Sequence, residues 1–300
     1  MLALAQLVSV TSVLALLLSG FLEPERKRMR LGMFLRNSGP ASRREIMKGC
    51  AEAADKMGLD DLWVVDHIAI PPDDAEGSGG RYVDPLATLA FAAGFTNSIR
   101  LGISVLVAPY RAALPTAKWL ASIQELSDGR LCSGFGVGWM PAEFKALGID
   151  RRKRGAITDE TLSVILRCFS EEEMELNGQR FLFKPRPKRP KILIGGGAAS
   201  SLPRIVKYGD GWMPTNLNPK ALEAPAAELK AAMSAAAKPE PEIIPLSTLP
   251  LDDLGAGVEC LMAYADAGAT GIDHPGRYRD VEEFCYNVER LLEIKIRAGY

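Results

Sequence analysis

The chain has 300 residues, long for one small domain but ordinary for a single (β/α)8 barrel. It carries 36 Lys and Arg against 37 Asp and Glu, a formal net charge of −1 with no long basic block, which disfavours sequence-independent nucleic-acid binding. The 47% apolar content is enough for a large core, and the 5 scattered cysteines form no CxxC pair, so neither a zinc site nor a disulfide framework is indicated and a reducing cytoplasm is the simplest home.

Residues 2–22 are uncharged and long enough to cross a bilayer. No Lys or Arg precedes them and no small-residue cleavage site follows, so they make a poor signal peptide. Three readings stay open. The start is over-long and synthesis begins at Met29. Alternatively the stretch is a membrane anchor, with Arg26, Lys27 and Arg28 keeping the bulk of the chain in the cytoplasm. In the third it is an ordinary helix packed on the domain. A membrane is a partner only in the second case.

From residue 31 onward the pattern alternates. Leu31–Leu35 reads as a first strand. Ser42 is placed to cap a helix that runs to Met57, with Glu45 at capping-box spacing and Gly58 as the stop. Leu62–Val65 is a second strand, followed by Asp66 and His67. The loop from Pro71 to Tyr82 is long for a compact domain, which points to a functional segment. Asp84 and Pro85 open a helix to about Thr96. Ile99–Val107 is β-branched and apolar without clean alternation, as suits a strand covered on both faces. Pro115 is expected as the first residue of the next helix, which Asp128 and Gly129 end.

Arg130–Phe135 is the fourth strand and runs into Gly134, Gly136 and Gly138. Glycines at alternate positions either bare the backbone to a ligand or make a tight turn. The spacing does not fit a dinucleotide fingerprint, in which a helix begins inside the glycines. Helical stretches follow at Glu143–Leu147 and Arg152–Phe169. Glu171–Lys184 reads as an extended excursion with a hairpin turn at Asn177 and Gly178. Lys191–Ile194 is the fifth barrel strand, ending in Gly195, Gly196 and Gly197. Helix to Tyr208, strand Gly211–Pro214, helix Pro219–Ala237, strand Glu242–Leu246, helix Gly257–Ala267, strand Thr270–Asp273 and helix Val281–Arg297 complete the chain. Eight strands alternating with helices predict an α/β (β/α)8 barrel with an extended insertion after the fourth β/α unit. The domain is expected to span 29–300.

The chemistry narrows to few residues. The 2 histidines are His67, after the second strand, and His274, after the eighth. If the barrel closes in chain order, both reach the catalytic rim, where His67 is a candidate general acid/base. His274 precedes Pro275 and Gly276, so a turn role is equally open. Asp66 is open between orienting His67, holding a substrate or cofactor amide, and capping a turn. Gly195, Gly196, Gly197 and Ala198 lead into a helix N-terminus, which is either an anion site or a plain tight turn. No P-loop lysine, metal-ligand cluster or GxSxG elbow is present, so phosphoryl transfer and serine hydrolysis lose weight.

Several segments together carry a resemblance. They are Trp63–His67, Asp84–Leu86, Ile99–Arg111, Asp128–Trp139, Ile194–Gly197 and Gly209–Trp212. With them the chain resembles the bacterial luciferase-like flavin and deazaflavin oxidoreductases, most of all their coenzyme F420-dependent branch. The likeness runs from Met29 to about Asn218. It implies a luciferase-like TIM barrel that holds the ring of a deazaflavin (F420) or flavin (FMN) at the C-terminal rim. It implies a non-proline cis peptide at Ser104 and Val105 behind that ring. Cofactor contacts are implied at Gly136, Gly138 and Trp212, with the cofactor phosphate on Gly195, Gly196, Gly197 and Ala198. Asp66 and His67 match positions that contact the ring or shuttle a proton.

The expectation is an F420-dependent hydride-transfer oxidoreductase acting on a small organic molecule, as a homodimer without nucleic acid or metal. An FMN-dependent monooxygenase and a non-catalytic flavin-binding barrel are the alternatives, and retention of Asp66 with His67 argues against the last.

Overall fold

The computed structural model describes residues 29–300. The apolar stretch 2–22 lies outside the described residues. Among the described residues no helix is long and apolar enough to cross a membrane.

Eight strands form one parallel sheet. They are β1 (Arg30–Phe34), β2 (Asp61–Val64), β3 (Arg100–Val107), β4 (Leu131–Gly136), β7 (Lys191–Gly195), β8 (Gly211–Met213), β9 (Glu242–Ile243) and β10 (Gly271–His274). Their spatial order is β10-β1-β2-β3-β4-β7-β8-β9. The two ends of that order meet. The amides of Thr270 and Asp273 donate to the carbonyls of Ile243 and Pro245, and Ser247 N–H donates to the Asp273 carbonyl. The sheet is thereby a barrel in chain order, interrupted by one hairpin. That hairpin, β5 (Glu173–Leu176) and β6 (Gln179–Leu182), pairs antiparallel outside the barrel. Asn177 and Gly178 both have positive φ, as a two-residue hairpin turn of matching twist requires.

Helices α1 (Arg44–Met57), α2 (Pro85–Ala93), α3 (Ala113–Leu126), α5 (Arg154–Ser170), α6 (Ala198–Tyr208), α7 (Pro219–Ala235), α8 (Leu254–Asp266) and α9 (Val281–Arg297) cover the outside, and α4 (Pro141–Ala146) is a short turn after β4. Strand parity divides the core. Leu31, Met33, Leu62, Val64, Leu101, Ile103, Ile192 and Ile194 face the helices in one large cluster. Trp63, Cys132, Leu193, Met213 and Ile244 fill the barrel, with Phe34 and Val105 packed on them. Trp63 fits there because Gly32 and Gly102 flank it: a Cβ on Gly102 would stand 2.1 Å from the indole. At the N-terminal end, Asp61 accepts from Arg30 and Arg100, and Arg100 also pairs with Glu242, closing the bottom with paired charge.

Several local expectations change; the strand expected at Glu242–Leu246 is only Glu242–Ile243, and the helix expected from Gly257 opens at Leu254. Ser42 does not cap α1; it sits in a 3-10 turn, donates to the Gly39 carbonyl and accepts from Arg81. Helix α3 opens at Ala113, so Pro115 is its third residue, still within the first turn where its missing N–H is harmless. Helix α2 stops at Ala93 rather than near Thr96. Its start is as expected, since Asp84 accepts from Leu86 N–H and Ala87 N–H.

Candidate active site

The C-terminal rim is assembled from the segments that follow the strands, and those after β1, β2, β3, β4, β7 and β10 carry the residues described below. Asn37, buried after β1, clamps two of them. Its amide exchanges hydrogen bonds with Val65 N–H and the Val65 carbonyl, and donates to the Val83 carbonyl.

Asp66 follows β2 and is wholly buried. It accepts from Val107 N–H at 2.9 Å and takes both nitrogens of Arg111, at 2.7 and 2.9 Å. Arg111 continues to Asp84 at 2.7 Å. The ends of β2 and β3 and the start of α2 are thus tied by one ion-paired chain. Burial raises the Asp66 carboxyl, opposed by Arg111 and Val107. Burial would lower Arg111, but the two carboxylates outweigh it and hold the guanidinium charged. Asp66 is therefore spent on the scaffold. It does not orient His67, and as a catalytic group it is corrected to a positioning residue.

Glu143 on α4 orients His67 instead. His67 Nδ1 lies 3.1 Å from Glu143 Oε2, which also accepts the Tyr110 hydroxyl at 2.8 Å. Oε1 accepts the backbone N–H groups of Ile68 and Ala69 at 2.6 and 3.0 Å. The Glu143 side chain is 1% exposed and that of His67 19%. Burial raises the Glu143 carboxyl, but the Ile68 and Ala69 amides, Tyr110 and His67 together hold it below the usual carboxylate range. A carboxylate that stays ionised on Nδ1 fixes the imidazole with its other nitrogen free for chemistry. The ring is flanked by Tyr82 at 4.9 Å and by the edge of Trp139 at 6.1 Å. Trp139 is itself exposed at the mouth.

His274 takes the turn role. It accepts Gly276 N–H at Nδ1 and faces the Leu249 carbonyl through Nε2, a network that assigns the neutral Nε2–H form. Burial lowers its pKa further from the charged state.

The floor of the mouth is built around Val105. The Ser104–Val105 peptide is cis. A Cβ on Gly136 would stand 2.6 Å from Val105 Cγ2, and one on Gly195 2.8 Å from Val105 Cγ1. Ser104, Val105, Gly136 and Gly195 are therefore brought together at the centre of the rim. Gly136 makes room for the Val105 side chain. Gly138 is further out, at positive φ, and packs where a Cβ would meet Val107 and Phe144. Both glycines make room for neighbouring side chains.

The Gly195–Ala198 segment differs. Gly196 has φ +116, which glycine alone adopts readily, while Gly197 has ordinary dihedrals and a Cβ there would meet nothing within 4 Å. A side chain at Gly197 would therefore stand in open space at the N-terminus of α6, where Ser200 and Ser201 N–H turn back to the Gly197 carbonyl; a helix N-terminus is the kind of place that accepts a phosphate. Trp212 is wholly buried on the helix side of β8, and its indole N–H donates to the Gly196 carbonyl at 2.8 Å. It supports the loop from behind and is corrected from a cofactor contact.

Asp273 points into the barrel, wholly buried, with neither oxygen hydrogen-bonded in good geometry. Burial pushes its carboxyl well above the usual range, offset in part by the Ser104 hydroxyl.

Glu143, Tyr110, Arg111 and Asn37 were not singled out from sequence. The one available signal was an acid in the first turn of the short helix after the glycines.

Residues 29–253 match the family described as luciferase-like monooxygenase. An uncharacterized protein of Mycobacterium tuberculosis is 27% identical over 262 residues, covering 80% of this chain and 90% of that protein. The F420-dependent hydroxymycolic acid dehydrogenase of Mycobacterium tuberculosis is 30% identical over 172 residues, 54% of this chain and 47% of that protein. The FMNH2-dependent dimethylsulfone monooxygenase of Pseudomonas fluorescens is 26% identical over 183 residues, 52% of this chain and 49% of that protein. Among solved structures, monooxygenase RslO1 from Streptomyces bottropensis superposes with a TM-score of 0.72 at 22% identity, covering 91% of this chain and 100% of that chain. An F420-dependent secondary alcohol dehydrogenase gives 0.74 at 15% identity, covering 89% and 99%. At those identities the structural likeness speaks to the fold.

Proposed function

The chain belongs to the luciferase-like monooxygenase family, and on that premise we propose that it is an oxidoreductase that transfers a hydride between coenzyme F420 and a small organic substrate, with His67 as general acid/base. The observation that carries the reading is the His67–Glu143–Tyr110 cluster at the mouth of the barrel. Hydride transfer to or from a carbon bearing oxygen needs a proton moved at that oxygen, and an imidazole held by a buried carboxylate is suited to move it.

The residues present fit the cofactor. A side chain at Gly197 would meet nothing within 4 Å, and the N-terminus of α6 that follows it would hold the cofactor phosphate. Ser104 and Val105 would back its ring. When bound, the deazaflavin supplies the hydride chemistry. Glu143 holds His67 through Nδ1, which leaves Nε2 to take or return the substrate proton. Asp66 and Arg111 keep the ends of β2 and β3 in register beneath it. A second reading, an FMN-dependent monooxygenase, is favoured by the dimethylsulfone monooxygenase match; the same cluster would then serve proton transfer beside reduced flavin.

The test is His67→Ala. Removing a positioned acid/base costs ~10²–10⁴ in rate, so kcat should fall by that order while cofactor affinity changes little. One limb of the pH profile of turnover should vanish. Equal turnover by both proteins, with that limb retained, would make His67 structural and remove the assignment.

A further inference from the structure

A second set of charged groups sits on the same rim, beside His67 and outside the cluster just described. A groove is lined by Arg36, Ser38, Glu76, Ser78, Tyr82 and Arg277. Its walls come from three rim segments: the one after β1, the long loop after β2, and the connection after β10. Arg277 is exposed, and among the described residues its side chain has no ion pair or hydrogen bond. Among the described residues the Arg36 guanidinium reaches only the Tyr278 carbonyl, at 3.3 Å. Nearby arginines are matched differently: Arg279 pairs with Glu283, and Arg111 with Asp66 and Asp84.

An adjoining depression adds Arg43 and Arg81. Arg81 donates to the Ser42 hydroxyl and carbonyl, not to an acid. Four guanidinium groups therefore border the loop 76–81, and Glu76 is the one carboxylate that lines the groove beside them. Guanidiniums without an acid partner, beside the hydroxyls of Ser38, Ser78 and Tyr82, offer the forked donors that carboxylate and phosphate groups accept.

The position decides what such an anion belongs to. In the closed ring of strands β1 and β7 stand opposite each other, so the groove lies across the mouth from the Gly195–Ala198 segment. A cofactor phosphate held at that segment leaves this groove to another group. Tyr82 belongs both to the groove and to the wall against His67.

We propose that the groove between Arg36 and Arg277 is an anion subsite that holds a carboxylate or phosphate group of the substrate, while the reacting part reaches His67 past Tyr82. The inference rests on the reading of the His67 rim as the active site.

The experiment is calorimetric titration of the cofactor-loaded protein, at low ionic strength, with inorganic phosphate and separately with succinate. At least one anion should bind. Arg277→Glu should weaken that binding tenfold or more, Arg277→Lys should retain most of it, and cofactor affinity should stay unchanged in both. Phosphate binding alone marks a phosphorylated substrate, and succinate binding alone a carboxylic acid. The proposal is overturned if neither anion binds, or if Arg277→Glu binds both as wild type does. The readout is anion binding, not turnover, so if no cofactor loads, the comparison of Arg277→Glu with wild type still decides the subsite while the cofactor reading fails separately.

Discussion

Replacing Glu143 by alanine removes the acceptor on which four donors converge: the Ile68 and Ala69 amides, the Tyr110 hydroxyl and His67. A hydrogen bond to a charged group contributes about 1.5–3 kcal/mol. His67 is partly exposed and regains water, so three bonds count in full. At the low end they sum to roughly 4–5 kcal/mol, and water entering the vacated space brings the expected loss to about 3–4 kcal/mol. For a domain of this size each kcal/mol is worth ~2–4 °C in Tm, so the transition should fall by on the order of 10 °C. Glu143→Gln keeps one oxygen for the two amides and should cost only about 1–2 kcal/mol. It should nonetheless lower kcat by roughly ten- to a hundredfold, because His67 loses its ionised partner. Thermal unfolding followed by calorimetry gives the first quantity and steady-state turnover the second. If Glu143→Ala melts within 2 °C of wild type, or Glu143→Gln turns over normally, the carboxylate is neither the clamp nor the orienting group.

Two pH effects of opposite sign accompany this. Glu143 is held below the usual carboxylate range, so its contribution is present above the unfolded pKa near ~4.3 and is lost as pH falls through the lower folded value; the acid limb of Tm against pH should therefore be shallower in Glu143→Gln, and an unchanged limb would count against it. Asp273 is pushed well above its ordinary value, so its neutral form is favoured in the fold, and stability is lost as pH rises from the unfolded pKa near ~3.9 through the folded one. Asp273→Asn should accordingly be more stable than wild type at pH 8, with the gap narrowing towards pH 5, and a gap that widens towards acid would contradict the burial argument.

The barrel was legible because each β/α unit announces itself locally: an apolar run, a turn residue, a capped helix. The turn at Asn177 and Gly178 and the Asp84 cap needed only adjacent residues. What failed was non-local. His67 meets Glu143 across 76 residues, and no local pattern distinguishes Glu143 from Asp66, the acid next to the histidine. Asp66 looked catalytic because its partner Arg111 is 45 residues away. Ser42 lost its capping role to contacts with Gly39 and the distant Arg81. The packing around glycines is non-local too. A sequence shows that Gly136 and Gly138 lack a Cβ, but not that Val105, Val107 and Phe144 occupy the space. Trp212 turned outward by strand parity, which three residues are too few to reveal. The cis peptide at Ser104 and Val105 was reached through family resemblance, since neither residue type signals it.

Whether this rim binds a deazaflavin with its phosphate on the Gly195–Ala198 segment is decided by a paired titration. The purified protein is titrated with coenzyme F420 and with FMN, each followed by its own fluorescence, in wild type and in Gly197→Val. That site is better than Gly196, whose φ of +116 would confound lost binding with backbone strain. F420 should bind more tightly than FMN, and Gly197→Val should weaken F420 binding tenfold or more while the disfavoured valine at this N-cap lowers Tm by only about 2–4 °C. Preference for FMN, or F420 affinity untouched by Gly197→Val, would contradict the deazaflavin reading.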